Sequence, residues 1–146
     1  LPYIGLAMLN FFLMSLMAVT VFSVPITGSF LVLTLSAFVF VIISTGIGLL
    51  ASTITSSQIA AMFFTMIGTM IPSTQFAGLT DPVSSLEGAG HFIGQIFPAT
   101  YMFAISRGVF AKALFMRDLY PLVMPLLIAV PVILSSAILL LRKQER

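Results

Sequence analysis

From Leu1 to Thr80 the chain carries no formal charge, and all ten Asp, Glu, Lys and Arg side chains fall at or after Asp81. A soluble domain spends about a quarter of its residues on charged side chains to cover its core. Here 7% of 146 residues are charged and 60% are hydrophobic, so no fold in water could hide the apolar surface of the first half. Disorder is excluded by the same imbalance. The chain is therefore read as an integral membrane protein. With no Cys, it can build neither a disulfide scaffold nor a thiolate metal site. A net charge of +2 is too small to point to nucleic acid.

A bilayer core about 30 Å thick takes roughly 20 helical residues to cross. Four apolar runs meet that length, over about 1–22, 30–51, 59–77 and 119–141. Ser23–Ser29, with Pro25 and Gly28, punctuates the first join, and Ser52–Gln58 punctuates the second. Nothing alternates with the period of a barrel strand. The expected fold is thus an all-α membrane protein: a polytopic helical bundle of four transmembrane helices. Pro121, Pro125 and Pro131 predict a kinked or partly broken last span, tolerable because neighbouring helices re-satisfy the freed carbonyls.

Residues 78–118 are different. They hold Asp81, Glu87, Asp118, Arg107, Lys112 and Arg117 beside apolar pieces too short to cross, such as His91–Phe97 and Tyr101–Ile105. Short apolar helices with Gly and Pro at their joints suit a re-entrant or interfacial hairpin before the last span. On a helix over 101–116, Phe103, Phe110 and Leu114 share one face, Lys112 points away, and Arg107 lies near the apolar face, paired or snorkelling. Arg107-Gly108 can anchor this hairpin to a lipid phosphate or a carboxylate. The tail 142–146 and the hairpin each carry three Lys or Arg, so the positive-inside count ties; crowding of the tail charges against the membrane favours a cytoplasmic tail. The chain opens with Leu inside an apolar run, with neither a basic n-region nor a cleavage site. A fragment or truncated gene, its upstream part missing, is the expectation.

Enzyme chemistry has little to stand on. The two lysines, Lys112 and Lys143, lack the glycine-rich context of a phosphate loop. His91 is the sole His; Glu87 lies four residues before it, but Gly88 and Gly90 disfavour a rigid helical pair. An intramembrane enzyme would also need paired ionisable groups inside its spans, so no catalytic residue, metal ligand or cofactor is assigned to this chain. Two stripes remain. Ser44, Gly48 and Ser52 recur at i, i+4 and i+8, a small-residue stripe that lets another helix approach closely. Gln58, Met62, Met66 and Met70 form a second, with Thr65 and Thr69 beside it; Met suits an adaptable apolar path as well as plain core.

The order of several short pieces resembles the C-terminal part of a type-2 ABC transporter permease of the bacterial drug-exporter-like branch. The pieces are Val24-Pro25-Ile26-Thr27-Gly28-Ser29, Gly46-Ile47-Gly48-Leu49-Leu50-Ala51-Ser52-Thr53, Gln58, Ile71-Pro72-Ser73 and Ala77-Gly78-Leu79-Thr80-Asp81-Pro82, then Ile96-Phe97-Pro98-Ala99-Thr100-Tyr101 and Ile105-Ser106-Arg107-Gly108-Val109-Phe110. They cover nearly the whole chain. The resemblance implies that the four spans are the third to sixth of six, with both termini cytoplasmic and the hairpin external, anchored at Pro98, Arg107 and Gly108. It implies an ATPase-facing turn at Thr53, Thr55 and Gln58, and a substrate path along Met62, Thr65, Met66 and Thr69. It further implies a second permease subunit, homo- or heterodimeric, and a separate ATP-binding-cassette ATPase that binds ATP and Mg. The expected function is export of an amphiphilic or drug-like compound across the bacterial inner membrane by alternating access. A non-transporting membrane assembly or scaffold protein is the alternative.

Overall fold

The computed structural model describes residues 1–76, 85–113 and 115–144. Among these residues the secondary structure is helical throughout: α1 (Pro2–Thr20), α2 (Phe30–Ile54), α3 (Gln58–Ile71) continued by a π-helical turn (Pro72–Phe76), α4 (Ala89–Ile96), α5 (Pro98–Ala111) and α6 (Met116–Gln144). The expected all-α polytopic membrane bundle is what forms. The Ala77–Pro82 piece, Leu114 and the last two tail residues lie outside the described residues.

Among the described residues three helices, α1, α2 and α6, are long and apolar enough to cross a bilayer. The expected third span, about 59–77, is regular α-helix over only part of its length. Its regular α-helix has 14 residues, about 21 Å at 1.5 Å each. Pro72 is the physical reason: without an N–H it cannot bond back one turn, and the ladder widens into the π pattern of Pro72–Phe76. α6 is not broken: it runs as one 29-residue helix through Pro121, Pro125 and Pro131, about 43 Å long. That length exceeds the bilayer core, so Arg117 and Asp118 at one end and Arg142 and Lys143 at the other can both reach polar surroundings.

α2 is the hub, and α1, α3, α5 and α6 all pack on it. Its direction relative to α6 follows from three meetings in sequence. Ser36 lies in a pocket with Tyr120, Val123 and Leu127, Gly46 meets Ile133, and Thr53 meets Gln144. The two helices therefore run parallel. Val32, Leu33, Ile43, Ile105, Val109, Leu119 and Leu126 form the buried cluster, with Phe11 of α1 and Phe30 packed against it as rings stacked 6.3 Å apart. α3 buries no residue fully, and on α1 only Ser15 is buried. A soluble protein could not leave such large apolar faces open; in a bilayer, acyl chains cover them at no hydrophobic cost.

Local chemistry fixes the ends. α1 stops where Ser23 enters the left-handed region at φ 51°, which lets the Val24 N–H reach the Ala18 carbonyl at 3.0 Å. Ser57 caps α3, its Oγ accepting from the Ala60 N–H at 3.1 Å. Within the helices Thr34 and Thr45 donate back to the carbonyls of Phe30 and Val41, the usual way a hydroxyl is satisfied in a lipid-embedded helix. Ser36 does not. It is 1% exposed and its Oγ has no hydrogen-bond partner among the described residues. Ser36→Ala is therefore expected to leave the fold intact and raise stability by about 1 kcal/mol, because a buried, unmatched hydroxyl costs desolvation free energy. Thermal unfolding in detergent checks this; a clear loss of stability would mean the hydroxyl has a partner in the membrane.

Candidate functional site: a groove between two membrane helices

The notable concavity lies between α2 and α3. Its apolar part has a volume of about 730 Å³ and is lined by Gly48, Gln58, Ile59, Ala61, Met62, Phe63, Thr65 and Met66. Beside it lies a polar part of about 400 Å³ lined by Ser52, Thr55, Ser56, Ser57, Gln58 and Ala61. Gln58 and Ala61 line both, so the two adjoin, hydroxyl- and amide-lined at the α2–α3 link and apolar along the span. Among the described residues, none that lines either part is ionisable. Gly48 is what opens the wall on the α2 side: nothing among the described residues lies within 4 Å of where its Cβ would stand.

The geometry brings together two sets of residues that the sequence presents as separate stripes. Gly48 and Ser52 of the small-residue stripe face the same groove as Gln58, Met62, Thr65 and Met66; Ser44 is exposed outside the lining. The close helix approach on α2 falls elsewhere. A Cβ at Gly46 would stand 2.7 Å from Ile133 Cγ2, so α6 packs on the Gly46 face while Gly48, two residues on, looks the other way. Phe63, which helical spacing from the Met stripe places on another face, lines the groove with Met62 and Met66. Thr69 is not in the lining. Thr65 and Thr69 donate to the carbonyls of Ala61 and Thr65, at 2.8 and 2.7 Å. Their single protons are thus used within α3, and what they can offer a ligand is a lone pair.

At the link itself Thr53 and Thr55 likewise bond their own helix, donating to Leu50 and Ala51 at 2.7 and 2.9 Å. Their side chains are turned back on α2, and the groups open for contact are Ser56, Ser57 and Gln58, all exposed. Thr53 nevertheless holds the end of α6, through its backbone carbonyl and the Gln144 amide.

The expected hairpin is two helices, α4 and α5, joined at Phe97. Pro98 occupies the first turn of α5, where its missing N–H has no bond to lose. Thr100 Oγ1 and Tyr101 Oη reach back to the last carbonyls of α4, at Gly94 (2.5 Å) and Gln95 (2.6 Å), groups that a helix end otherwise leaves unmatched. Side chains of His91 and Gln95 pair on the exposed side of α4 at 2.9 Å. α5 ends at Ala111, short of the expected 116, because the chain turns at Ala113 with φ 51°. Its buried stripe is Ile105, Gly108 and Val109; Phe103 and Phe110 are half-buried. Gly108 therefore serves helix packing, and Arg107 beside it is exposed.

Sequence reasoning missed what ties this hairpin to the spans. Thr27 Oγ1 lies 3.1 Å from both the Val109 and Phe110 carbonyls, and the Gly28 N–H donates to Val109 at 2.8 Å. The Thr27-Gly28 pair, read as turn residues, in fact closes the C-terminus of α5. No local signal announces a partner 82 residues away. These bonds also set sidedness within the bundle: the α1–α2 loop and the α5 end share one end, and the α2–α3 link and the α6 tail share the other. Among the described residues no three metal-ligating side chains converge.

Comparison with known proteins gives a consistent picture. The chain is 31% identical over 110 residues to the probable multidrug ABC transporter permease YbhS of Escherichia coli, both in strain K12 and in O157:H7. That stretch is 75% of this chain and 29% of the relative, so the chain spans under a third of the length of the curated relatives it matches. No family model matches the chain, and no solved structure matches it significantly. A run of apolar helices built as a polytopic bundle, with the order of motifs seen along it and this similarity over three quarters of its length, places the chain among the ABC transporter permeases.

Proposed function

We propose that the chain forms part of the membrane-spanning subunit of a type-2 ABC exporter, moving an amphiphilic or drug-like compound outward across a bacterial inner membrane. The observation that carries this reading is the α2–α3 groove, whose lining changes from hydroxyl and amide to apolar along its length. An amphiphile fits that gradient. Its polar end would lie against Ser56, Ser57 and Gln58, and its apolar body along Met62, Phe63 and Met66. The volume suits a drug-sized molecule, and Met side chains adapt to varied shapes. With no ionisable group among the described lining residues, selection would rest on shape and hydrogen bonding more than on charge.

Nothing in the chain's residues suggests ATP hydrolysis, so ATP and Mg would be bound by a separate ATPase subunit pressing on the α2–α3 link. The open outer face of α3 would meet the path or a second permease subunit. This orientation puts the link and α6 tail in the cytoplasm and the α4–α5 hairpin outside. It is tested by thiol labelling in intact cells. A Cys at Ser85 should react with an impermeant reagent, and a Cys at Lys143 only after permeabilisation; the reverse pattern overturns the orientation. The function is tested in vesicles carrying the transporter that contains this chain, by ATP-dependent movement of a fluorescent amphiphile. No ATP-dependent movement, with the chain folded and assembled, would favour a scaffold role and overturn export.

A further inference from the structure

Where α6 ends, it meets the end of α2: the Gln144 side-chain amide donates to the backbone carbonyl of Thr53, 91 residues earlier. Thr53 lies in the last turn of α2, where carbonyls run out of N–H partners in their own helix. The nearby hydroxyls do not fill the gap, since Thr53 and Thr55 donate to Leu50 and Ala51. The α2–α3 link is thus framed by the Ser57 cap on one side and by the α6 tail on the other. α3 itself packs mainly on α2 and on the π-turn that continues it. α6, in contrast, packs along α2 and on α5, whose Ile105 and Val109 share the buried cluster with Leu119 and Leu126.

We propose that Gln144 is a positioning residue that fixes the α2–α3 link to α6, so that displacement of the link carries α6 with it and, through α6, the α5 helix packed at the opposite end of the bundle. The link is the segment against which an ATPase would push, so this role in coupling rests on the ATP-driven reading above; the Gln144–Thr53 contact does not. The chemistry required is a donor at the end of a helix, aimed at a C-terminal carbonyl. Lys at position 144 would keep such a donor and add a charge that the helix terminus favours. Ala would remove it, and Glu would place a like partial charge against the carbonyl.

The test uses the full chain in membranes, with a nitroxide label on Ser56 to report motion of the link. Gln144→Ala and Gln144→Glu should mobilise the label, and Gln144→Lys should return it to the wild-type spectrum. The melting temperature should fall by no more than a few degrees in Gln144→Ala, the shift that one hydrogen bond carries, because the buried cluster lies toward the other end of the bundle. In the transporter assembled with its ATPase subunit, compound moved per ATP hydrolysed should fall about five-fold in Gln144→Ala, the effect of losing one hydrogen bond of ordinary strength, and recover in Gln144→Lys. An unchanged label spectrum in Gln144→Ala, or a mobile one in Gln144→Lys, overturns the contact. A mobilised link with unchanged transport per ATP overturns the coupling role. If the wild-type transporter shows no ATP-driven movement, the export reading fails while the label series still decides the contact.

Discussion

Gly46→Leu is expected to cost the chain its folded state in detergent, while Gly48→Leu, two residues further along the same helix, is expected to leave folding near wild type. The difference comes from what each Cβ would meet. At Gly46 it would stand 2.7 Å from Ile133 Cγ2, well inside van der Waals contact. That methyl belongs to a β-branched side chain with one preferred rotamer in a helix, so it cannot swing aside. α2 and α6 would have to separate, at a cost of about 3 kcal/mol or more, the upper range for overpacking. Within a bilayer there is little hydrophobic force to restore that packing, since helix association rests on close contact itself. Folded yield and thermal stability in detergent measure the effect. Gly46→Ala should show a milder form of it, relieved in part by Ile133→Ala. Equal stability of Gly46→Leu and wild type would mean that α2 and α6 do not approach at this point.

Gly48→Trp should have its large effect on transport instead. The position opens onto the groove of about 730 Å³, and among the described residues nothing lies within 4 Å of a Cβ placed there, so a side chain can start at this point and an indole would occupy the space a ligand would use. In the complete transporter, export of an amphiphile should fall about ten-fold or more, the loss expected when a binding site's main apolar contacts are blocked at a cost of about 1.4 kcal/mol or above. Membrane abundance should stay close to wild type. Thr65→Leu and Met66→Ala should change selectivity among compounds, because they reshape the wall without closing it. Phe63 belongs with them, since it lines the same groove; Phe64 does not line it, and its substitution should leave selectivity unchanged. Undiminished export of the parent compound by Gly48→Trp would mean that the groove is a lipid- or subunit-covered face and that the path runs elsewhere.

These two glycines also mark how far the sequence reaches. Spacing alone singled out Gly48, through Ser44 and Ser52, as the site of close helix packing. Within this chain the α2 glycine in close contact with a neighbouring helix is Gly46, and no periodicity distinguishes it. α2 is apolar nearly all round, so its sequence does not say which face meets α6, which meets α3 and which meets lipid. The same limit hides the buried stripe of α5, where Ile105, Gly108 and Val109 go inside while Phe103 and Phe110 stay half out. The groove was legible in its parts, as a Met stripe and a small-residue stripe, but not as a joint wall.

What the sequence by itself determined is whatever depends on neighbours within a turn or two. A chargeless first half dictates a membrane bundle, Ser57 caps α3, Pro98 opens α5, and charge at Arg142 and Lys143 ends the last span. Pro72 belongs here too, since its missing N–H is a local fact, although residue type alone does not select the π turn that follows. What only the tertiary structure decided is every contact made across the bundle: Thr27 on the end of α5, Gln144 on the end of α2, Ile133 against Gly46, and the groove between α2 and α3. These depend on which helix ends arrive at the same place. In a bilayer that arrangement is selected by shape and by unmatched carbonyls, to which hydropathy and period are blind.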